Sequence, residues 1–310
     1  MQKILIIGGA GYIGSILTKY LLEKNYSVSV FDNFYYKQNS LMDCLSYKKF
    51  KLYLGDVRDL KTINTIISKY DIIIPLAALV GAPICSKLPK ISKEINFDSC
   101  LNIIKNKSSS QRLIMPTTNS AYGSGNKNNF CDENSKLKPL SNYAKQKVKL
   151  EQILMEKKNV TSLRLATVFG AAPRMRMDLL VNDFVYKAYN DNVLVLFEGH
   201  FKRNYIHVKD VARCFHFCIE NSKTKNEIFN VGLSTANLSK KELAEKIKKQ
   251  VKSLNIIEKA FTKDPDQRNY IVSNEKIEKL GFIPKQNIDD GIKELLILYS
   301  FLHLNNYKNI

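Results

Sequence analysis

The chain has no C-x-x-C pair among its six cysteines, no internal repeat and no low-complexity linker. Its cysteines, at positions 44, 85, 100, 131, 214 and 218, are dispersed, which argues against a zinc ribbon or a disulfide framework. Cys214-Phe-His216-Phe-Cys218 has the composition of a metal cluster. On a helix, however, positions 214 and 218 share a face and 216 points elsewhere, so core packing is expected and a metal is not. The longest apolar stretch, Ile72 to Pro83, is interrupted by Pro75 and Gly81, and Leu295 to Leu302 is shorter still. Neither can cross a bilayer. Free thiols and the lack of a signal peptide lead to the expectation of a reducing cytoplasm.

Acidic residues are scarce: 29 Asp and Glu stand against 48 Lys and Arg, a formal net charge of +19. The basic residues are scattered, and no stripe of basic and aromatic side chains forms a nucleic-acid footprint. The densest stretch, Lys240 to Lys252, interleaves lysines with Leu243, Ala244, Ile247 and Val251. That spacing predicts an amphipathic helix with a solvated lysine face. Neither nucleic acid nor membrane is therefore an expected partner.

What the chain does have is a glycine-rich turn in a specific setting. Lys3 to Ile7 is a short apolar, β-branched run that reads as a buried parallel strand. It enters Gly8-Gly-Ala-Gly11-Tyr12-Ile13-Gly14, and residues 15–22 then show helical periodicity. Glycines at such a turn leave room for a pyrophosphate, and the helix N-terminus offers it free N–H groups and partial positive charge. The spacing is G-x-x-G-x-x-G rather than the commoner G-x-G-x-x-G. Eighteen residues beyond Gly14, Asp32 closes the strand Ser27 to Phe31, followed by Asn33. A carboxylate there accepts from adenosine ribose hydroxyls and repels a 2′-phosphate, which selects NAD over NADP. No arginine follows closely, and Lys37 lies too far along the loop.

Strands and helices alternate as in a Rossmann-type doubly wound parallel α/β sheet with a smaller α/β C-terminal lobe. Further strands end at Gly55-Asp56-Val57, at Pro75-Leu76-Ala77-Ala78, at Pro116-Thr117-Thr118 and at Leu165. Asp56 is placed to meet the adenine and Leu76 to Ala78 to flank the phosphates, because open α/β sheets bind ligands beyond their strand ends. The expected division is a dinucleotide domain, residues 1–168 with 205–232 returning to it, and a substrate lobe, residues 169–204 and 233–310. Pro173, Pro265 and Pro284 break that lobe into short elements.

Tyr143 and Lys147 stand one turn apart on a helix that starts after Pro139 and Ser141. Oxidising a secondary alcohol requires loss of the hydroxyl proton while hydride leaves carbon. Tyrosine, with a reference pKa of about 10, needs a neighbouring ammonium to favour its phenolate. Thr118, at a strand end, is suited to orient the substrate oxygen.

Together, GGAGYIG, Asp32, Leu76-Ala77-Ala78, Thr118 with Tyr122-Gly123, Tyr143 with Lys147, and the segment Arg203 to Val211 resemble the extended short-chain dehydrogenase/reductase family along essentially the whole chain. The resemblance implies a catalytic set of Thr118, Tyr143 and Lys147 and a tightly bound NAD. It also implies a nucleotide-sugar substrate held by Arg203, Arg268 and Asn182, with Val80, Asn119 and Ser120 beside it, and a homodimer or homotetramer. Family members that eliminate water place acidic side chains where this chain has Asn119 and Ser120, so a 4,6-dehydratase is disfavoured. Dehydrogenation, 4-epimerisation or ketoreduction at carbon 4 remain. The runs Pro75 to Cys85, Leu165 to Gly170, Pro173 to Phe184 and Asn204 to Val208 resemble a bacterial subgroup that includes a dehydrogenase acting on carbon 4 of GDP-D-glycero-D-manno-heptose in capsule synthesis. That likeness implies Arg174 and Arg176 as substrate-pocket cations.

Overall fold

The structure is a computed structural model that describes residues 2–124, 130–259 and 268–302, leaving the side chains of residues 82 and 83 aside. Pro265 lies outside the described residues. Among the described residues, twelve strands succeed one another in chain order: β1 (Lys3–Ile7), β2 (Ser27–Asp32), β3 (Phe50–Leu54), β4 (Ile72–Pro75), β5 (Arg112–Thr118), β6 (Val160–Leu165), β7 (Thr167–Phe169), β8 (Val193–Phe197), β9 (Lys202–His207), β10 (Glu227–Val231), β11 (Asn237–Ser239) and β12 (Asn255–Lys259). The helices that cover the sheet and join the lobes are α1 (Tyr12–Glu23), α2 (Leu60–Ile67), α3 (Ala82–Lys87), α4 (Pro89–Lys93), α5 (Ser99–Asn106), α6 (Asn142–Met155), α7 (Leu180–Asn190), α8 (Val208–Glu220), α9 (Lys240–Gln250), α10 (Glu275–Lys279) and α11 (Ile288–Tyr299).

Seven strands form one parallel sheet in the order β10-β6-β5-β4-β1-β2-β3. Chain direction across the sheet reverses between β1 and β4, which opens a crevice beyond their C-terminal ends. The central strands are apolar on both faces because helices cover both: Ile4 and Ile6 point into one core with Leu17 and Leu21 of α1, Leu5 and Ile7 into the other with Ile63 of α2 and Ile103 of α5. β7, β9 and β11 form a small three-stranded sheet, and β8 pairs with β12. Residues 227–231 return to the large sheet as its edge beside β6, and α8 packs on α1.

In α8, Cys214 and Cys218 are buried in the core, while the His216 ring sits edge-on between Tyr20 and Tyr26. In α9, Leu243, Ala244 and Ile247 are buried, but the lysine face is not wholly solvated: Lys240 is buried, with its Nζ donating to the Phe197 carbonyl and lying over the Phe201 ring. Its long apolar stem covers the lobe while the ammonium finds a carbonyl. No helix among the described residues is long and apolar enough to cross a membrane.

Candidate active site

A cleft runs along the strand ends, lined by Gly8, Gly11, Asp32, Asn33, Tyr36, Asp56, Val57, Leu76, Ala77 and Ala78 among others. The glycines are dictated by close approach. Gly8 has φ of +87°, and a Cβ there would lie 2.4 Å from the Ala77 nitrogen. A Cβ on Gly14 would lie 2.5 Å from the Gly8 carbonyl oxygen, so only glycine lets α1 start this close to the turn. At Gly11 a Cβ would meet nothing nearer than that same oxygen at 3.2 Å; it would project into the passage that must stay clear for a ligand. No side chain caps the N-terminus of α1, so its first N–H groups are left for an anion.

Asp32 ends β2 at the lip of this cleft. Its Oδ2 accepts from the Ala10 amide at 2.9 Å and its Oδ1 from the Phe34 amide at 2.8 Å. Burial pushes its pKa above the usual carboxylate value, and the backbone donors at Phe34, Ala10 and Asn33 act in the opposite sense, with Arg174 adding to them. Asp56 is turned by Arg58, which donates to both of its oxygens, and by the Asn33 amide at 3.3 Å; the Arg58 hydrogen bonds hold its pKa below the ordinary value. A turn with no space for side chains, a helix start without a cap and a carboxylate at the ribose distance together fit a dinucleotide.

Thr118 ends β5, and its Oγ1 accepts from the Ser120 amide at 3.0 Å, capping the short turn Asn119–Tyr122. Helix α6 begins after Ser141, whose Oγ accepts from the Ala144 amide. It packs against β5, β6 and the 119–122 turn, which brings Tyr143 and Lys147 to the end of β5. Lys147 is buried, and its Nζ lies 5.9 Å from the Tyr143 ring centroid. One turn further along the same face, Glu151 is buried in an ion pair with Arg164 of β6 at 2.6 Å. Glu151 also accepts from Thr117 at 3.0 Å and Ser162 at 2.6 Å, and Arg164 donates to the Tyr122 hydroxyl at 2.9 Å. This network fastens α6 to the sheet directly below Thr118. The i, i+4, i+8 spacing of 143, 147 and 151 could have revealed it, since a third polar residue on the inner face of α6 requires a buried partner.

The structure redistributes several residues read from the sequence as ligand contacts. The Tyr12 side chain leaves the cleft and its hydroxyl donates to the Gly170 carbonyl at 2.7 Å; its contribution to the cleft is its backbone at the start of α1. Ile13 is half-buried against the core on that same first turn. Asn182, expected to grip substrate, is fully buried and its amide is consumed internally: Oδ1 accepts from the Gly170 amide at 3.0 Å, and Nδ2 donates to the Arg176 carbonyl at 2.8 Å. It braces the segment between β7 and α7, whose backbone groups would otherwise be buried without partners. Arg174, also expected at the substrate, lies instead in the cleft of Asp32, its guanidinium 3.9 Å from the Tyr36 ring centroid. Arg176 pairs with Asp178 and donates to the Val80 carbonyl at 3.3 Å, so it holds the strap after β4. Sequence distance concealed both arginines from Tyr36 and Val80.

Arg268 donates to the Ser120 hydroxyl, which ties the lobe to the turn beside Thr118. Arg203, on β9, is buried, with its guanidinium 5.8 Å from the Tyr270 ring centroid. Asn119 is fully buried, and neither atom of its amide has a partner among the described residues. His207 bridges a different pair: its Nδ1 accepts from the Lys209 amide and its Nε2 lies 2.6 Å from Glu294 of α11. Among the described residues no group of three or more His, Cys, Asp or Glu is arranged to hold a metal.

Comparison with known proteins agrees with this geometry. The chain is 25% identical over 308 residues to the low-salt glycan biosynthesis protein Agl12 of Haloferax volcanii, covering 96% of this chain and 98% of that one. It is 26% identical over 335 residues to a CDP-paratose 2-epimerase of Salmonella typhi, covering 95% and 98%. Among solved structures, a UDP-glucose 4-epimerase of Thermotoga maritima with UDP-glucose superposes with a TM-score of 0.82 at 25% identity, covering 96% of this chain and 98% of the other. A family model described as the NAD dependent epimerase/dehydratase family matches residues 4–232. The chain belongs to that family, and is an enzyme of the NAD-dependent epimerase and dehydratase type on a Rossmann-like fold.

Proposed function

We propose that the enzyme carries out redox chemistry at carbon 4 of a nucleotide-activated sugar, and that its reaction is oxidation of GDP-D-glycero-D-manno-heptose to the 4-keto sugar for surface polysaccharide synthesis. The observation that carries this reading is that the glycine cradle and Asp32 stand at the same C-terminal end of one parallel sheet as Thr118, against which the helix bearing Tyr143 and Lys147 packs. NAD bound in the cleft supplies the hydride acceptor. Tyr143 takes the proton from the carbon-4 hydroxyl, and Lys147 beside it favours the phenolate that does so. Thr118 hydrogen-bonds the sugar oxygen and fixes which hydrogen faces the cofactor. Arg203 and Arg268 are assigned to the nucleotide diphosphate, for which a guanidinium fork is the matching donor.

Asn119 and Ser120 lack an ionisable proton near neutral pH, so elimination of water from the oxidised sugar has no local acid or base. The second reading, 4-epimerisation, is supported by the relatives named as 4-epimerases; it requires the ketone to be retained and reduced from the other face.

The test is incubation with GDP-, UDP-, dTDP- and CDP-sugars, GDP-heptose included, in deuterated water, with products read by NMR. A 4-keto GDP-heptose is expected. An inverted carbon-4 alcohol selects the epimerase, and a 4-keto-6-deoxy sugar would overturn the roles given to Asn119 and Ser120.

A further inference from the structure

We propose that Arg176 is a positioning residue for hydride transfer: through the carbonyl of Val80 it fixes the segment that borders the hydride-accepting end of the dinucleotide. This rests on the reading of the cleft as the NAD site and deepens it.

Strand order says which segment that is. Asp32 ends β2, the glycine turn leaves β1, residues 76–80 leave β4 and Thr118 ends β5, and these strands are neighbours in the order β2-β1-β4-β5. A dinucleotide with its adenosine at Asp32 and its diphosphate at the glycines is left with β4 for its reacting end, beside the Thr118, Tyr143 and Lys147 group. Leu76, Ala77, Ala78 and Leu79 line the cleft there.

Residues 76–80 belong to no strand or helix, and their backbone is held at separate points. The Leu76 and Ala77 amides both donate to the Ile7 carbonyl, at 2.7 Å and 2.8 Å. Asn96, between α4 and α5, accepts from the Leu79 amide and donates to the Leu79 carbonyl, each at 2.8 Å. The Val80 carbonyl accepts from Arg176 Nη2 at 3.3 Å. Val80 is the last residue before Gly81, whose φ of +123° turns the chain into α3, and α3 packs on α6, the helix of Tyr143 and Lys147. Arg176 therefore grips the joint between the wall of the cleft and the helix that carries the phenol.

The surroundings of Arg176 suit it to that task. Its side chain is buried, and Asp178 fixes the guanidinium through Nε at 3.1 Å and again through Nη2. Its own carbonyl accepts from Asn182 Nδ2 at 2.8 Å, and Asn182 Oδ1 accepts from the Gly170 amide. The backbone that carries the fork is pinned and its direction is set, so Val80 is held by a rigid donor. A displacement of about 1 Å at a reacting centre can cost about a hundredfold in rate, which is the loss this contact prevents.

Three measurements on the full chain test this, for the unsubstituted protein, Arg176→Met and Arg176→Lys. The first is NADH affinity together with the emission of bound NADH, which reports how firmly the nicotinamide ring is held. The second is affinity for GDP and for UDP. The third is single-turnover transfer of deuterium to NAD from GDP-D-glycero-D-manno-heptose and from UDP-glucose, each labelled at carbon 4. Arg176→Met is expected to transfer label roughly tenfold to a hundredfold more slowly and to lose emission, with NADH, GDP and UDP affinities within about threefold of the unsubstituted protein. Lysine keeps a donor without the fork and is expected to recover part of both losses. Unchanged transfer and emission per folded molecule, with only the urea midpoint lowered, would overturn the proposal. Weakened GDP or UDP binding with emission unchanged would overturn it too, and would make Arg176 a substrate cation. Should Arg176→Met not melt cooperatively, Arg176→Lys decides: slower transfer with lower emission supports the proposal, and equality overturns it. An unsubstituted protein that binds NADH but moves no label from either sugar would overturn the reading of the reaction, and the emission would still decide for Arg176. One that binds no NADH would overturn the reading of the cleft itself, and this proposal with it.

Discussion

At the scale of single residues, Asp32 is held before any ligand reaches it. Both carboxylate oxygens accept backbone N–H groups, at 2.9 Å and 2.8 Å, so the side chain cannot rotate away from the cleft without leaving two amides unpaired. Asp32→Asn keeps one acceptor oxygen and replaces the other with an amide that faces an N–H donor. The variant is expected to weaken NAD roughly tenfold and to bind NADP more tightly than the unsubstituted protein, because the repulsion of a 2′-phosphate is gone. Parallel titrations with the two cofactors check this. The place of Asp32 at the lip of the cleft was legible in the sequence because it depends on a short span, strand, glycine turn and second strand. Asn182 and Tyr12 were not, since what fixes them is Gly170, a residue that needs its N–H and carbonyl satisfied inside the protein. The contact of Arg174 with Tyr36 was hidden for a related reason: Tyr36 is local to Asp32 in the chain, not to Arg174.

Among the elements, α6 carries Tyr143 and Lys147, and its placement depends on more than amphipathic packing. Five of its positions are buried, Ala144, Lys147, Leu150, Glu151 and Leu154, and two of those are charged. The Glu151–Arg164 pair, with Thr117, Ser162 and Tyr122 around it, converts those charges into a registered joint between helix and sheet. Arg164→Met leaves the carboxylate buried without its cation. The expected cost is about 3–5 kcal/mol, read from urea unfolding, with a smaller cost for the double variant Arg164→Met, Glu151→Met than for the sum of the two singles. Additive costs would show the pair to be independent. The strands and the helix starts were readable from apolar runs and from caps such as Ser141, because both are local. The partner of Glu151 was hidden, since β6 offered Arg164 as a single charge in an apolar run; only the parallel pairing of β5 with β6 brings Thr117 and Arg164 side by side.

Over the whole molecule, the junction of β9 and α8 is fastened to α11. His207 at the end of β9 and Lys209 at the start of α8 both meet Glu294 of α11, and α11 packs on α7, which carries Asn182. Burial alone would raise the Glu294 pKa, but the hydrogen bonds from His207 and Lys209 outweigh it and hold the group down at about 2. A carboxylate depressed in the folded state contributes stability that is complete above its unfolded value of about 4.3 and is lost as pH falls toward the folded value. Glu294→Gln is therefore expected to cost on the order of 2–3 kcal/mol at neutral pH and to flatten the fall in urea midpoint between pH about 5 and 3. Parallel midpoint curves for the two proteins would contradict the assignment. The alternation of strands and helices made the doubly wound sheet legible, and the pairing of residues 227–231 with β6 at its edge falls within the 205–232 segment expected to return to it. The central claim is that Tyr143 assists hydride loss from carbon 4, and it is tested most directly by a nucleotide sugar deuterated at that carbon, with label on the recovered nicotinamide read by mass spectrometry. The unsubstituted enzyme is expected to place deuterium on the cofactor, and Tyr143→Phe to do so at least about a hundredfold more slowly with NAD affinity unchanged. Equal labelling rates in the two proteins, or product formed with no label on the cofactor, would contradict it.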